Sequence, residues 1–112
     1  MVDFDSTLFS EENRDKWRNE RWEKHGILKL LRKDGFTFKS DGRSGYIYYI
    51  EQGTLVEIYV EMSGVKRYDM LVYFDEKLKR FPSESILNND EKEILKEKLL
   101  SWFEKKGIKS DL

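Results

Sequence analysis

The stretch Thr54-Leu-Val-Glu-Ile-Tyr-Val-Glu-Met62 decides how this chain folds. Side chains alternate between the two faces of an extended strand, so the stretch divides into two sets. One set is β-branched or apolar and suits packing on a helix: Thr54, Val56, Ile58, Val60 and Met62. The other set mixes leucine, tyrosine and carboxylates and suits water or a partner: Leu55, Glu57, Tyr59 and Glu61. The alternation therefore predicts a central strand of a sheet with unlike faces.

The composition indicates a small folded domain. With 112 residues the chain is long enough for one modest core, so we predict a single domain over 1–112 with residues 1–9 as a loosely held arm. Charged residues make up 38% and aromatic residues 14%, and this aromatic share is typical of a chain that folds. The chain contains no cysteine, which excludes disulfides and thiolate chemistry.

Charge and hydropathy bear on the partner and the compartment. The net charge of -1 gives no basic field for phosphate backbones or anionic lipid, so nucleic acid and membrane are disfavoured as partners. The first residues are acidic where a signal peptide would be basic. No apolar run approaches the roughly 20 residues of a membrane-spanning helix. We therefore expect a cytoplasmic protein.

Helical segments flank the predicted sheet. Ser10 followed by two glutamates marks a helix start, and the helix from Glu11 to about His25 is too charged for a core element. Gly26 interrupts this helix, and the apolar stripe of residues 27–33 is expected to dock on the sheet.

The C-terminal helix has clear start and stop signals. Asn88 or Asn89 caps it, Glu91 has the capping-box spacing from Asn88, and Gly107 closes it. Its expected buried stripe is Ile94, Leu95, Leu99, Trp102 and Phe103.

The turns set the predicted strand register. A two-residue turn at Gln52-Gly53 pairs Tyr49 with Val56, so the apolar faces of the two strands match. For the next connection a three-residue loop, Ser63-Gly64-Val65, sets Val60 opposite Tyr68 in a strand over 67–74. These elements predict an α+β fold: an antiparallel meander of about four strands, with the N-terminal and C-terminal helices packed on one face.

The face opposite these helices is the predicted binding surface. It carries a set of aromatic and aliphatic side chains that we call the tyrosine face: Tyr46, Tyr48, Ile50, Leu55, Tyr59, Leu71 and Tyr73. Tyrosine edged with carboxylates is an interface composition, and it suits a basic partner protein. The expected contact residues are Glu57, Tyr59, Glu61, Asp69 and Tyr73. The alternative that Trp17 and Trp22 cover this face and make it core stays open, as does the role of residues 1–26.

Two other functions are compatible with parts of the same face. Glu57, Glu61 and Asp69 could together hold magnesium, as in a metal-dependent phosphodiesterase or nuclease, but Arg67 opposite Glu61 favours an ordinary ion pair. The tyrosines could stack bases in a single-stranded nucleic-acid binder, although the neighbouring charges are mainly acidic. His25 is the only histidine and has no evident second ligand or nucleophile. We predict a protein without catalytic activity, cofactor or metal.

Several features in order resemble a family of small bacterial immunity proteins found beside polymorphic or contact-dependent toxins. They are Leu-Leu-Arg-Lys-Asp-Gly-Phe at 30–36, Ile-Tyr-Tyr-Ile-Glu at 47–51, Val-Glu-Met at 60–62, Asp-Met-Leu-Val-Tyr-Phe at 69–74, Asn-Asp-Glu-Lys-Glu-Ile-Leu at 89–95 and Trp-Phe-Glu-Lys-Lys-Gly-Ile-Lys at 102–109. The resemblance covers residues 27–112. It implies a non-enzymatic inhibitor that binds one toxin domain and blocks its active site, and it assigns no binding residues.

Overall fold

The computed structural model describes residues 11–64, 66–75 and 77–112 of the chain. The predicted arm at 1–9 and the predicted Ser10 cap lie outside this part. The described helices are α1 (Glu11–His25), α2 (Ile27–Leu30) and α3 (Asn89–Lys106). The described strands are β1 (Gly35–Asp41), β2 (Ser44–Glu51), β3 (Thr54–Met62), β4 (Met70–Tyr73), β5 (Lys79–Phe81) and β6 (Ser85–Ile86). The α+β class is confirmed, with six described strands in one antiparallel sheet rather than about four.

The first three strands form a meander around β3. Gln52 and Gly53 both have positive φ, 49° and 76°, as a two-residue turn of the hairpin type requires. Tyr49 lies opposite Val56, so the predicted register of β2 on β3 is confirmed. The segment before β2 is also a hairpin, since Asp41 pairs with Ser44 across a two-residue turn.

The predicted connection from β3 to β4 is wrong in length. Val60 lies opposite Val72 rather than Tyr68, and Leu71 rather than Arg67 lies opposite Glu61. The cause is the C-terminal segment, whose Lys109 carbonyl accepts hydrogen bonds from the amides of Asp69 and Met70, so the strand begins at Met70. The register differs from the predicted one by four residues. An even shift leaves each side chain on its predicted face.

Two strands share the second edge of β3. β4 pairs with residues 59–62 and β5 pairs with residues 55–56. Glu57 and Ile58 lie between these two ladders and have no strand partner on that side among the described residues. The sheet is therefore split locally at this point of its central strand.

The prediction that both helices pack on one face is wrong. α3 buries Leu95, Leu99 and Phe103 against Val56, Ile58 and Val60, on the face that was expected to meet a helix. Ile27 of α2 packs on the opposite face, in a second cluster with Tyr48, Ile50 and Leu55. β2 and β3 carry large apolar side chains on both faces, so each face requires a cover.

The ends of α3 are as predicted. The Asn88 side chain accepts from the Glu91 amide and the Glu91 side chain accepts from the Asn88 amide, which completes the capping box. Gly107 ends the helix in the left-handed conformation with φ 70°. The predicted buried stripe includes one error, because Ile94 is 54% exposed. None of the described helices has the length and apolar character needed to cross a membrane.

Candidate functional site

Helix α1 is held on the sheet by a salt bridge that the sequence pattern does not reveal. The Arg21 guanidinium donates to both carboxylate oxygens of Glu57, at 2.9 and 2.6 Å, and the Trp22 indole N–H donates to the same carboxylate at 2.8 Å. The Glu57 side chain is only 12% exposed. Glu57 therefore fastens α1 to β3, and its charge is neutralised by Arg21.

A second polar contact lies at the C-terminal end of α1. His25 is buried, with Nδ1 2.7 Å from the Tyr48 hydroxyl and Nε2 3.1 Å from an Asp41 carboxylate oxygen. Lys24 donates to Asp41 at 3.0 Å, and this hydrogen bond is the main cause that lowers the pKa of the Asp41 carboxyl. Burial is the main cause that raises the pKa of the Tyr48 phenol, so Tyr48 stays protonated. Gly26, with φ 68°, then turns the chain from α1 into α2.

The N-terminal helix α1 covers only part of the tyrosine face. Trp22 packs edge-on against Phe81 at a centroid distance of 5.0 Å, and Tyr48 is fully buried. Trp17 does not act as a cover, because it is 41% exposed. Tyr59 is half-buried and Tyr73 is 48% exposed. About half of the tyrosine face is therefore core, and the half around these two tyrosines is surface.

A cleft of about 370 Å³ opens at the boundary between the covered and the exposed halves. It lies where β4 and β5 diverge along the edge of β3. Aromatic, charged and aliphatic side chains line this tyrosine cleft: Tyr46, Tyr59, Tyr73, Phe81, Glu57, Asp75, Lys77, Lys79 and Leu78. A concave aromatic surface with a few charged groups is a common form of binding site.

Three tyrosines form a row beside and within the cleft. The ring centroids of Tyr46 and Tyr59 are 5.4 Å apart, and those of Tyr59 and Tyr73 are 5.3 Å apart. The Tyr59 hydroxyl donates to Glu61 at 3.2 Å. The charge of Glu61 is the main cause that raises the pKa of the exposed Tyr73 phenol. One carboxylate and two phenols thus meet at the exposed end of the row.

The structure brings together three of the five residues predicted to contact a partner, Tyr59, Glu61 and Tyr73. Glu57 lines the cleft but is neutralised by Arg21. Asp69 has a separate structural role, since its carboxylate accepts from the Lys109 amide at 2.8 Å. The exposed face is therefore less acidic than predicted.

Sequence reasoning missed the other charged residues of the cleft. Asp75, Lys77 and Lys79 lie in and beside the connection from β4 to β5, where the sequence has no periodicity. The one sequence signal here is the aspartate, a residue that is favoured in turns. In the structure the Asp75 carboxylate accepts a hydrogen bond from the Lys77 amide at 2.9 Å, as is typical of such a turn. Their place on the cleft follows from the split edge of β3, a long-range feature.

The carboxylates that were considered as metal ligands do not converge. Glu57 pairs with Arg21, Glu61 accepts from Tyr59, and Asp69 accepts from Lys109. Glu57 and Glu61 are also four residues apart on one strand, which corresponds to about 13 Å. In the described ranges no group of three or more His, Asp or Glu side chains is placed to hold a metal ion.

Comparison with known proteins gives no match: no family model, no curated protein and no solved structure is similar to this chain. The resemblance to immunity proteins thus stays a prediction from sequence, and the geometry of the cleft is the basis for assigning a function.

Proposed function

We propose that this chain is a non-enzymatic protein-binding domain, an immunity protein that acts in the bacterial cytoplasm and neutralises a toxin by direct binding. The observation that carries the proposal is the row of Tyr46, Tyr59 and Tyr73 beside an open cleft. Tyrosine supplies a large contact area with few rotatable bonds and keeps a polar tip, so it is enriched where proteins bind one another.

The support beneath the row favours binding with little rearrangement. Tyr59 lies on the central strand, whose inward-facing neighbours Ile58 and Val60 are fully buried. Beside it, Tyr46 lies under the Arg21 guanidinium, whose carbon is 4.4 Å from the ring centroid. Side chains held by packing lose little freedom when a partner arrives, so more of the contact energy remains for affinity.

The charge at the exposed end of the row favours a basic partner. Glu61 is half-buried and accepts from Tyr59. Within the described residues it forms no ion pair with lysine or arginine. A basic group of a toxin domain would complement this carboxylate and steer the encounter.

A second candidate is a single-stranded nucleic-acid binder. The observation that favours it is the presence of Lys77 and Lys79 on a cleft that also has four aromatic rings. Phosphate contacts make such binding fall steeply with salt. Fluorescence anisotropy with a labelled oligonucleotide at low and high salt distinguishes the two candidates, since the protein-binding function predicts no oligonucleotide binding.

The main experiment is co-expression with the toxin domain encoded by the adjacent upstream gene in the source genome. We expect rescue of host growth and co-elution of the two chains on a sizing column. Glu61→Lys should reduce both, whereas Glu97→Lys, the same charge change on the exposed side of α3, should not. Growth inhibition that persists without any complex would refute the proposal.

A further inference from the structure

We infer that the group of the partner that binds at the exposed end of the tyrosine row is an arginine side chain, stacked on Tyr59 and Tyr73 and paired with Glu61. This inference rests on the proposed function and specifies the chemistry of its partner.

The tyrosine face already binds one arginine of the chain itself. The Arg21 guanidinium stacks on Tyr46 with 4.4 Å between its carbon and the ring centroid. The same group donates two hydrogen bonds to Glu57. A planar cation on an aromatic face, paired with a carboxylate at its edge, is therefore a contact that this face makes.

The same components recur one step along β3. Glu61 follows Glu57 by four residues, so the two carboxylates leave the same face of the strand. Tyr59 lies beside Tyr46 and Tyr73 lies beside Tyr59, with centroid separations near 5 Å in each case. The second set consists of a carboxylate and two aromatic rings, and no cationic side chain of the described residues stacks on Tyr59 or Tyr73.

Arginine fits this set better than lysine does. A guanidinium is planar and can stack on a ring while it donates to a carboxylate in its own plane, and lysine offers only a compact charge. Glu61 keeps acceptor sites for this purpose, because the two oxygens of a carboxylate offer about four lone-pair sites and the Tyr59 and Tyr73 hydroxyls use no more than two of them.

Lysines line the cleft and the Glu61 carboxylate lies beside it, and this arrangement sets the position of the cation. Lys77 and Lys79 line the cleft at and before the start of β5, whereas Glu61 lies outside the lining, on the part of β3 that pairs with β4. A cation is repelled by these lysines and attracted to the Glu61 carboxylate. Asp75 is also part of the lining, and its carboxylate is engaged by the Lys77 amide.

The test is an NMR titration of the full ¹⁵N-labelled chain with acetyl-Gly-Arg-Gly-amide. We expect saturable shifts of the amide signals of Tyr59, Glu61 and Tyr73 at millimolar peptide. Matched peptides with lysine or with citrulline, which is uncharged and has nearly the shape of arginine, should bind at least threefold more weakly, because each lacks one of the two contacts.

Two variants of the chain complete the test. Glu61→Gln keeps an acceptor for Tyr59 and removes the charge, so it should weaken the binding of the arginine peptide at least threefold. Glu97→Gln should leave the affinity for this peptide unchanged. Equal binding of the arginine and citrulline peptides, or shifts confined to residues away from the row, would overturn the inference. Rescue of growth without peptide binding would refute the arginine site and leave the proposed function unaffected. Peptide binding without rescue of growth would support the arginine site and refute the proposed immunity function.

Discussion

The Nδ1 atom of His25 lies 2.7 Å from the hydroxyl oxygen of Tyr48, and both side chains are buried. This hydrogen bond joins the last residue of α1 to the middle of β2. Asp41 lies 3.1 Å from the other imidazole nitrogen, so the ring has a partner on each side. Removal of the phenol oxygen leaves one imidazole nitrogen buried without its partner, which costs more than the loss of an exposed hydrogen bond.

We therefore expect Tyr48→Phe to lower the free energy of unfolding by about 1–2 kcal/mol. Tyr68→Phe is the matched control, because Tyr68 is half-buried outside the sheet, and it should change the value by no more than about 0.5 kcal/mol. Urea unfolding followed by circular dichroism measures both. Equal effects of the two variants would contradict the structural role of the Tyr48 hydroxyl.

Loss of the Glu57 carboxylate should also destabilise the fold. Glu57→Ala leaves Arg21 and the Trp22 indole without their acceptor, so we expect a loss of about 2 kcal/mol. A double-mutant cycle with Arg21→Ala should show a coupling of about 1 kcal/mol or more, since the two side chains are in direct contact. Strictly additive losses would mean that the salt bridge does not hold α1 on the sheet.

The exposed tyrosine should contribute to binding and little to stability. Tyr73→Ala is expected to weaken the complex with the toxin domain about tenfold or more, because an aromatic side chain at an interface often contributes strongly. Ile94→Ala, a truncation at a similarly exposed site on the α3 side, should leave the affinity unchanged. Calorimetric titration gives the affinities, and a thermal melt shows whether both variants stay folded. A smaller effect at Tyr73 than at Ile94 would place the interface elsewhere.

Gly45 should not tolerate a side chain. A Cβ atom there would lie 2.6 Å from the Lys39 carbonyl oxygen and 2.8 Å from the Phe38 ring. The backbone oxygen cannot move aside easily, so Gly45→Ala should cost about 2 kcal/mol of unfolding free energy. Gly64→Ala meets nothing within 4 Å and should be nearly neutral. A neutral Gly45→Ala would contradict the close approach of β1 to β2 at this point.

Acid should weaken the start of α3 through Glu91. A hydrogen bond from Arg80, at 2.7 Å, is the main cause that lowers the pKa of Glu91 below its ordinary value of 4.5, and the Asn88 amide adds to it. For a carboxyl whose pKa is depressed on folding, the stabilisation is complete above the ordinary value and is lost as the pH falls through the folded value. The melting temperature should therefore decrease as the pH is lowered below about 4.5. Glu91→Gln keeps the cap and removes the charge, so its melting temperature should fall less over the same range. Parallel profiles for the two proteins would contradict this role.

Local signals were sufficient to predict the parts of the fold that depend on local interactions. The turn at Gln52-Gly53 set the register of β2 on β3, and the spacing from Asn88 to Glu91 identified the start of α3. The register of β4 was missed because it depends on Lys109, forty residues from Asp69. The hydrophobic pattern of a strand does not predict a hydrogen bond to a residue so distant in the sequence.

The candidate site was predictable in its aromatic residues and not in its charges. Tyr59 and Tyr73 follow from strand alternation alone, since an even register shift leaves both on the same face. The neutralisation of Glu57 depends on Arg21, which lies in a helix whose composition indicated a solvated segment. Helix α1 docks on the sheet through polar side chains, so the docked face of the helix has no apolar stripe. Hydrophobic periodicity therefore could not predict which face of α1 contacts the sheet.

The C-terminal residues that set the start of β4 also cover one edge of the sheet. They occupy the outer side of β4, through the Met70–Ser110 bridge and a hydrogen bond from the Val72 amide to Asp111. Of the other described outer strands, β6 has only two residues, so within residues 11–64, 66–75 and 77–112 β1 is the one long strand whose outer side pairs with no other strand. If two copies joined through β1, each would use its remaining long edge and growth would stop at a dimer. An arrangement of this kind opposes the end-to-end addition of chains that builds fibrils.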